Sequence, residues 1–292
     1  MDTKEEYYEK HDWKQAHGVK EGILLLKQKV HAVAIDCRDD SGSDVEKDLL
    51  PLEQVLLEHT KLKAFQLYNY NLHESADLRM LILQLQTSKH LDYIGLFNNR
   101  IQDDGTTMLG HYLNHRKHIH CLDLHGNLIT SKGCMVLSKA VEIHHHLKVL
   151  NLSYNRIGDE GMISLGNAVE NNTHLCYLNL QGNECESVGA LSFARALEKN
   201  TTLKYLNLSE NPKIPAHTCD VLHDIAREKG VTFHGPKHTL HDGLNRIKGA
   251  IKHVFGLDKH KHDGKNIELD SFDHALDAAK EFTAEIHEQN EK

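Results

Sequence analysis

The chain has 292 residues, with 42 acidic and 34 basic side chains, a formal net charge of −8 and 39% hydrophobic residues. This balance argues against nucleic-acid binding, which needs a basic stripe to meet phosphates. No apolar run approaches the roughly 18 residues of a membrane span, and the opening MDTKEEYYEK is too charged for a secretory signal.

The first stretch, 1–29, shows no repeat. Trp13 and the run Ile23, Leu24, Leu25, Leu26 predict a helical N-terminal cap there. From 30 to 235 the chain repeats, in about seven units. VHAVAIDCRDD (30–40) keeps Val30, Val33 and Ile35 but has Arg38 where later units place Asn. LKAFQLYNYNL (62–72) keeps the apolar spacing, with Asn71 one place late. LDYIGLFNNRI (91–101), IHCLDLHGNLI (119–129), LKVLNLSYNRI (147–157), LCYLNLQGNEC (175–185) and LKYLNLSENPK (203–213) then follow at a fixed spacing of 28 residues. Val231–His234 predicts a last strand.

Each unit reads as strand, loop, helix, loop. Leu122 and Leu124, like Leu150 and Leu152 or Leu178 and Leu180, lie two residues apart, which puts both on one face of a short strand. The predicted strands fall at about 94–97, 122–125, 150–153, 178–181 and 206–208. The column Asn99, Asn127, Asn155, Asn183 and Asn211 is placed to bond the turn leaving each strand, where no regular ladder satisfies the backbone. Gly105, Gly133, Gly161 and Gly189 recur six residues later. Pairs such as Leu137/Val141 and Leu165/Val169 then mark the inner stripe of a helix.

These motifs resemble leucine-rich repeats of the ribonuclease-inhibitor-like subfamily, over roughly 30–235. The resemblance implies an α/β solenoid, a horseshoe with parallel concave strands and convex helices. It also implies that another protein is the partner, held on the concave face and its rim loops, in some relatives with occlusion of an enzyme's active site. A chain that is a monomer on its own, not an enzyme and without a cofactor, is the matching expectation. Six cysteines with no C-x-x-C pair point to a reduced, cytoplasmic setting rather than to zinc or a disulfide framework.

Alternation lets the concave face be read column by column. Its candidate binding residues are Tyr68, Tyr93, Phe97, Asp123, His125, Asn151, Tyr154, Tyr177, Asn179 and Tyr205. Aromatic side chains bury large area at little entropic cost and dominate interface hot spots. They also simply favour strands. Cys121, Asp123 and His125 share a strand face, but Cys121 and His125 should stand about 13 Å apart, too far for a nucleophile and its base. His90, His118, His146 and His174 precede four successive repeats. They are read as turn residues that bond the loop backbone, with a pH-sensitive rim as the other reading.

The last stretch, 236–292, has a different pattern. Leu240, Leu244, Ile247, Ile251, Val254 and Phe255 follow helical spacing, and so do Phe272, Ala275, Leu276, Ala279, Phe282 and Ile286. The segment between them, LDKHKHDGKNIELDSF, is similar to an EF-hand loop, with Asp258 and Asp263 as candidate metal ligands. His260 and His262 replace oxygen ligands, and Ser271 stands where a closing Glu belongs, so weak or no calcium binding is expected. A helical hairpin capping the last repeat is the favoured reading, with a calcium- or metal-responsive switch as the alternative. The ending EFTAEIHEQNEK is Glu-rich and similar to secretion signals of effectors that Legionella-type bacteria inject into host cells, several of which carry leucine-rich repeats.

Overall fold

The computed structural model describes residues 12–38, 45–72 and 75–236. Nine parallel strands form one sheet in strict chain order: β1 (Trp13–His17), β2 (Ala32–Asp36), β3 (Ala64–Tyr68), β4 (Tyr93–Gly95), β5 (Cys121–Asp123), β6 (Val149–Asn151), β7 (Tyr177–Asn179), β8 (Tyr205–Asn207) and β9 (Thr232–His234). A helix follows every strand from β1 to β8. From β4 to β8 the register advances by 28 residues per strand, pairing Tyr93 with Cys121, Val149, Tyr177 and Tyr205 in turn. The strands start one residue before the predicted positions and are only three residues long.

The leucines at those positions form the core. Leu122, Leu150, Leu178 and Leu206, with Leu124, Leu152, Leu180 and Leu208, are all buried against helical residues such as Leu137, Leu165 and Leu197. The glycine column marks close approach between units. A Cβ on Gly161 would lie 2.5 Å from Ile157 Cγ2 and 3.1 Å from Cys134 Cβ.

The asparagine column stops each strand. The Oδ1 of Asn155 accepts the N–H of Asn127 (2.9 Å) and of Ile129 (3.0 Å) from the preceding turn. Its Nδ2 donates to the carbonyls of Leu124 (3.0 Å) and Leu152 (2.8 Å). Asn99, Asn127 and Asn211 bond in the same manner. Asn183 donates to Leu152 and Gln181, yet among the described residues its buried Oδ1 accepts nothing. In the unit that begins at Leu62 the ladder position is held by Tyr70, one residue before Asn71, and its N–H goes to Asn99 Oδ1 (2.8 Å).

A second ladder, not foreseen from the sequence, closes the other end of each unit. His144, Asn172 and Asn200 are the residues that end three successive helices. Asn172 donates to the carbonyls of Val141 and His144 and accepts from the N–H groups of His174 and Leu175. Asn200 repeats the arrangement on Val169, Asn172, Thr202 and Leu203. At His144 an imidazole does the same work. Its Nδ1 accepts from Leu147 N–H (2.9 Å), so Nε2 must carry the hydrogen that goes to the Arg116 carbonyl (3.0 Å).

The N-terminus corrects an expectation. The 1–29 region is not a purely helical cap: Trp13–His17 is a full edge strand, paired with β2 residue by residue, and Val19–Lys27 is the helix. WKQAH hides the alternation because a single small side chain, Ala16, faces the core. The C-terminal hairpin, with Asp258 and Asp263, lies outside the described residues. Among the described residues no helix is long and apolar enough to cross a membrane.

Two outcomes follow from the ladders. Asn155→Ala leaves two buried N–H groups without acceptors and should destabilise by roughly 2–3 kcal/mol. Asn183→Ala removes only donors and should cost roughly 1 kcal/mol less. Urea denaturation of the two variants checks the order. The second outcome concerns pH. Burial, helped by nearby histidines, pushes the His144 imidazole below its ordinary value. The unfolded chain therefore takes up this proton first on acidification. Stability is complete above about pH 6.5, the unfolded histidine value, and falls as pH drops below it. His144→Asn installs the group that its neighbours use, so the loss in melting temperature between about pH 7.5 and about pH 5.5 should shrink in that variant. An unchanged loss would show that other buried histidines, such as His59, set the acid response.

Candidate functional site: the concave sheet face

The strand side chains that point away from the helices form three columns. The first runs Trp13, Ala32, Ala64, Tyr93, Cys121, Val149, Tyr177, Tyr205. Tyr93 was expected on the surface and is instead fully buried. Its hydroxyl accepts a hydrogen bond from Gln66 Nε2 (2.7 Å), and Trp13 meets its ring edge-on at 5.1 Å. Gly95 makes this possible: a Cβ there would lie 2.7 Å from Gln66 Cγ and 3.1 Å from Tyr93 Cε1. Further along, Tyr177 and Tyr205 are half-buried and stacked face to face, 4.2 Å apart and 3° from parallel.

The second column explains its own chemistry. Asp123, Asn151, Asn179 and Asn207 each accept, through a side-chain oxygen, the backbone N–H two residues on. This is the Asx turn, in which a short polar side chain stands in for backbone. Asp123 and Asn151 are also excluded from solvent. They are therefore supports of the face, not exposed contacts. From them a chain of bonds leads outward. Asn151 Nδ2 donates to Asp123 Oδ1 (2.8 Å), Ser153 Oγ donates to Asn151 Oδ1 (2.7 Å), and Ser153 Oγ meets His125 Nδ1 at 2.8 Å. Because the Ser153 proton is already given to Asn151, His125 must carry its hydrogen on Nδ1.

From Tyr68 onward the third column is half-buried apart from the buried Ser153, and the turn beyond it, with Tyr154 and Glu210, is the exposed part. Tyr68 and Phe97 stack at 4.3 Å, and His125 meets Tyr154 edge-on at 5.0 Å. Tyr154, 43% exposed, donates its hydroxyl hydrogen to Glu210 Oε2 at 2.6 Å, two repeats away. Gln181 Nε2 donates to Tyr154 Oη (2.8 Å) and to Glu210 Oε1 (2.7 Å). The residue before each ladder asparagine has positive φ: Asn98, Gly126, Tyr154, Gly182 and Glu210. That left-handed geometry throws Tyr154 and Glu210 off the rim, and Gly182 between them leaves room for the ring to cross. A Cβ on Gly182 would sit 3.0 Å from Tyr154 Cδ1. The shared hydrogen bond holds the Glu210 carboxyl below its ordinary value, with Gln181 adding to the effect, and pushes the Tyr154 phenol up. Gln181 and Glu210 were not among the predicted site residues. The signal that could have found them is that Glu210 holds Tyr154's place two units on, while Gln181 precedes Gly182, which holds it one unit on.

The histidine column does not assemble into one ladder. The ring contacts run instead between His120 and His146, His144 and His146, and His145 and His174. Among the described residues no group of three or more His, Cys, Asp or Glu side chains could hold a metal ion. Cys121 lies buried in the first column, whereas His125 bonds Ser153 in the third.

The Leucine Rich repeat family matches residues 144–166, 171–194 and 199–214, over units whose strands pair at the 28-residue period described above. The fold is a leucine-rich-repeat solenoid. No curated protein matches the chain. Among solved structures this solenoid is similar to "Leiomodin-1 Actin-Binding Site 2" (TM-score 0.42, 17% identity, covering 64% of this chain and 96% of that one). It is also similar to the tropomodulin C-terminal domain of Caenorhabditis elegans (0.43, 21%, covering 54% and 93%). A third is an internalin of Listeria monocytogenes (0.37, 15%, covering 70% and 67%).

Removing one oxygen tests the rim network of these leucine-rich repeats. Tyr154→Phe should raise the pKa of the Glu210 carboxyl toward the ordinary glutamate value while changing stability by less than about 1 kcal/mol, as for an exposed contact. A carbon-detected NMR titration of Glu210 reads it. An unmoved carboxyl would mean that the hydroxyl is turned to water instead.

Proposed function

We propose that the concave face is the seat of a protein partner, and that its contact surface is the rim patch of Tyr154, Gln181, Glu210 and His125 together with the Tyr177–Tyr205 stack. One observation carries the reading: these polar and aromatic groups, Tyr154 and Glu210 exposed and the others half-buried, are already locked to each other before anything binds. A partner then pays little side-chain entropy on this side of the interface, which is what distinguishes a prepared surface from an incidental one. Glu210, ionised and beside aromatic rings, suits a lysine or arginine of the partner, flanked by an apolar side chain that lies on the tyrosines.

The finer readings rest on sequence resemblance. A ribonuclease-inhibitor-like action would cover a partner enzyme's active site and need no reaction by this chain. A bacterial effector acting in a host cytosol is a second such reading, and there the six cysteines would stay reduced. A calcium-responsive switch would need the loop around Asp258 and Asp263.

Affinity purification from candidate cytosols, with wild type beside Tyr154→Ala plus Tyr177→Ala, identifies the partner by what the double variant loses. Calorimetry on the purified pair should then show affinity weaker by roughly thirtyfold, because truncating a central aromatic anchor costs about 2 kcal/mol or more. A partner that binds both proteins equally, or one held on the convex helices, would overturn this reading.

A further inference from the structure

The loops that lead from each helix into the next strand give the solenoid a second surface. Because the strands are parallel and in chain order, all of these loops arrive at one edge of the sheet. Backbone bonds tie them into a row. The N–H of Lys63 goes to the His31 carbonyl, Asp92 to Lys63, His120 to Asp92, Lys148 to His120 and Lys204 to Cys176, each at 2.8 Å.

The row is cationic. Its loops include HTKLK (59–63), QTSKHLD (86–92), HRKHIH (115–120), HHHLK (144–148) and NTTLK (200–204), in which Asp92 is the one acidic side chain. Lys61, Lys63, Lys89, Lys117 and Lys204 are exposed, and among the described residues none of them takes part in an ion pair. Acidic groups gather at the opposite edge, where Asp103, Asp104, Asp159 and Glu160 open the helices that follow β4 and β6. The net charge of −8 therefore conceals a basic face.

Helix dipoles alone do not account for these lysines. The carbonyl ends of the helices point to this edge and favour cations, but the effect fades within the last turn. The helices ending at Glu58, Leu85, Ile143 and Asn171 have no basic residue in that turn. Three of the four instead expose an apolar side chain there: Leu57 at 53%, Leu83 at 46% and Ile143 at 59%. Aliphatic groups beside a row of unpaired lysines match anionic headgroups over acyl chains. Stacking on nucleic-acid bases would favour Trp, Tyr or Phe, and the five loops hold none. From Lys63 to Lys204 the row spans five strand spacings, about 24 Å, wide enough to meet several headgroups at once.

We propose that this edge is a docking surface for an anionic lipid bilayer, with the lysines on the headgroups and Leu57, Leu83 and Ile143 at the acyl boundary. Such docking is peripheral and needs no spanning helix. It uses a different surface from the concave face, so it stands or falls apart from the proposed partner site.

Vesicle co-sedimentation of the full-length protein tests it. Two vesicles serve as probes, phosphatidylcholine alone and phosphatidylcholine with about one-third phosphatidylserine. Binding should appear only with phosphatidylserine and fall as salt is raised. Lys61→Glu with Lys63→Glu and Lys117→Glu should weaken it about tenfold or more. All three lysines are exposed, and an unchanged melting curve certifies the fold. Leu57→Ser with Ile143→Ser should weaken binding about threefold or more and leave its salt dependence unchanged. A wild type that ignores phosphatidylserine overturns the proposal, and so does binding that the lysine variant keeps. Indifference to the loss of Leu57 and Ile143 also overturns it, since the edge would then meet a polyanion and no bilayer. Tighter binding of a DNA duplex through the same lysines would make the edge a nucleic-acid surface instead.

Discussion

A single side chain, repeated, decides what this molecule can be. Where each short strand ends, the chain must turn without losing its backbone hydrogen bonds, and it must do so inside a core. An asparagine solves this because one amide offers both a carbonyl and an N–H pair, at a reach that spans two adjacent turns. Asn155 ties the turn at Asn127–Ile129 to the strand end at Leu152. Each rung needs its neighbour, so the strands stack in order and in parallel. The leucine core, the helix contacts and the open face on the other side all follow from that stacking.

The second ladder shows the same logic with a substitute. His144 takes the place of Asn172 and Asn200 by using both ring nitrogens, one as donor and one as acceptor. That equivalence holds only for the neutral ring, which links the protonation of one buried histidine to the packing of two helices' ends. Asn183 marks the opposite case. There the residue type is kept, and one of its two functions goes unused.

The sequence revealed a repeat more readily than a surface. The core was legible because Leu122, Leu124 and their equivalents recur at a spacing that has one structural reading. The edge strand at Trp13 was not, since WKQAH puts only Ala16 on the core side. The concave columns were assigned to the right face, but exposure cannot be read from alternation. Tyr93 and Asn151 occupy the same kind of position as Tyr177 and Asn179, yet are buried. At Tyr93 the difference is local: a missing Cβ at Gly95, and Trp13 packed against the ring; Asn151 is bonded to Asp123 and Ser153. The rim patch was half visible, because Tyr154 stood out as an aromatic while Gln181 and Glu210, on the same face, are polar residues with no pattern that marks them as contacts.

The bond between Tyr154 and Glu210 joins residues 56 apart in sequence, passing over the unit between them. Most contacts in a repeat array tie only adjacent units, so bending is shared out in small steps along the chain. A link that skips a unit behaves instead as a chord across an arc. It is a weak, exposed contact between two flexible side chains, so it follows the fan of three consecutive strands rather than setting it. Any ligand that opens or tightens that arc must strain or break the chord, and the charge on Glu210 becomes a gauge of how far the horseshoe is bent.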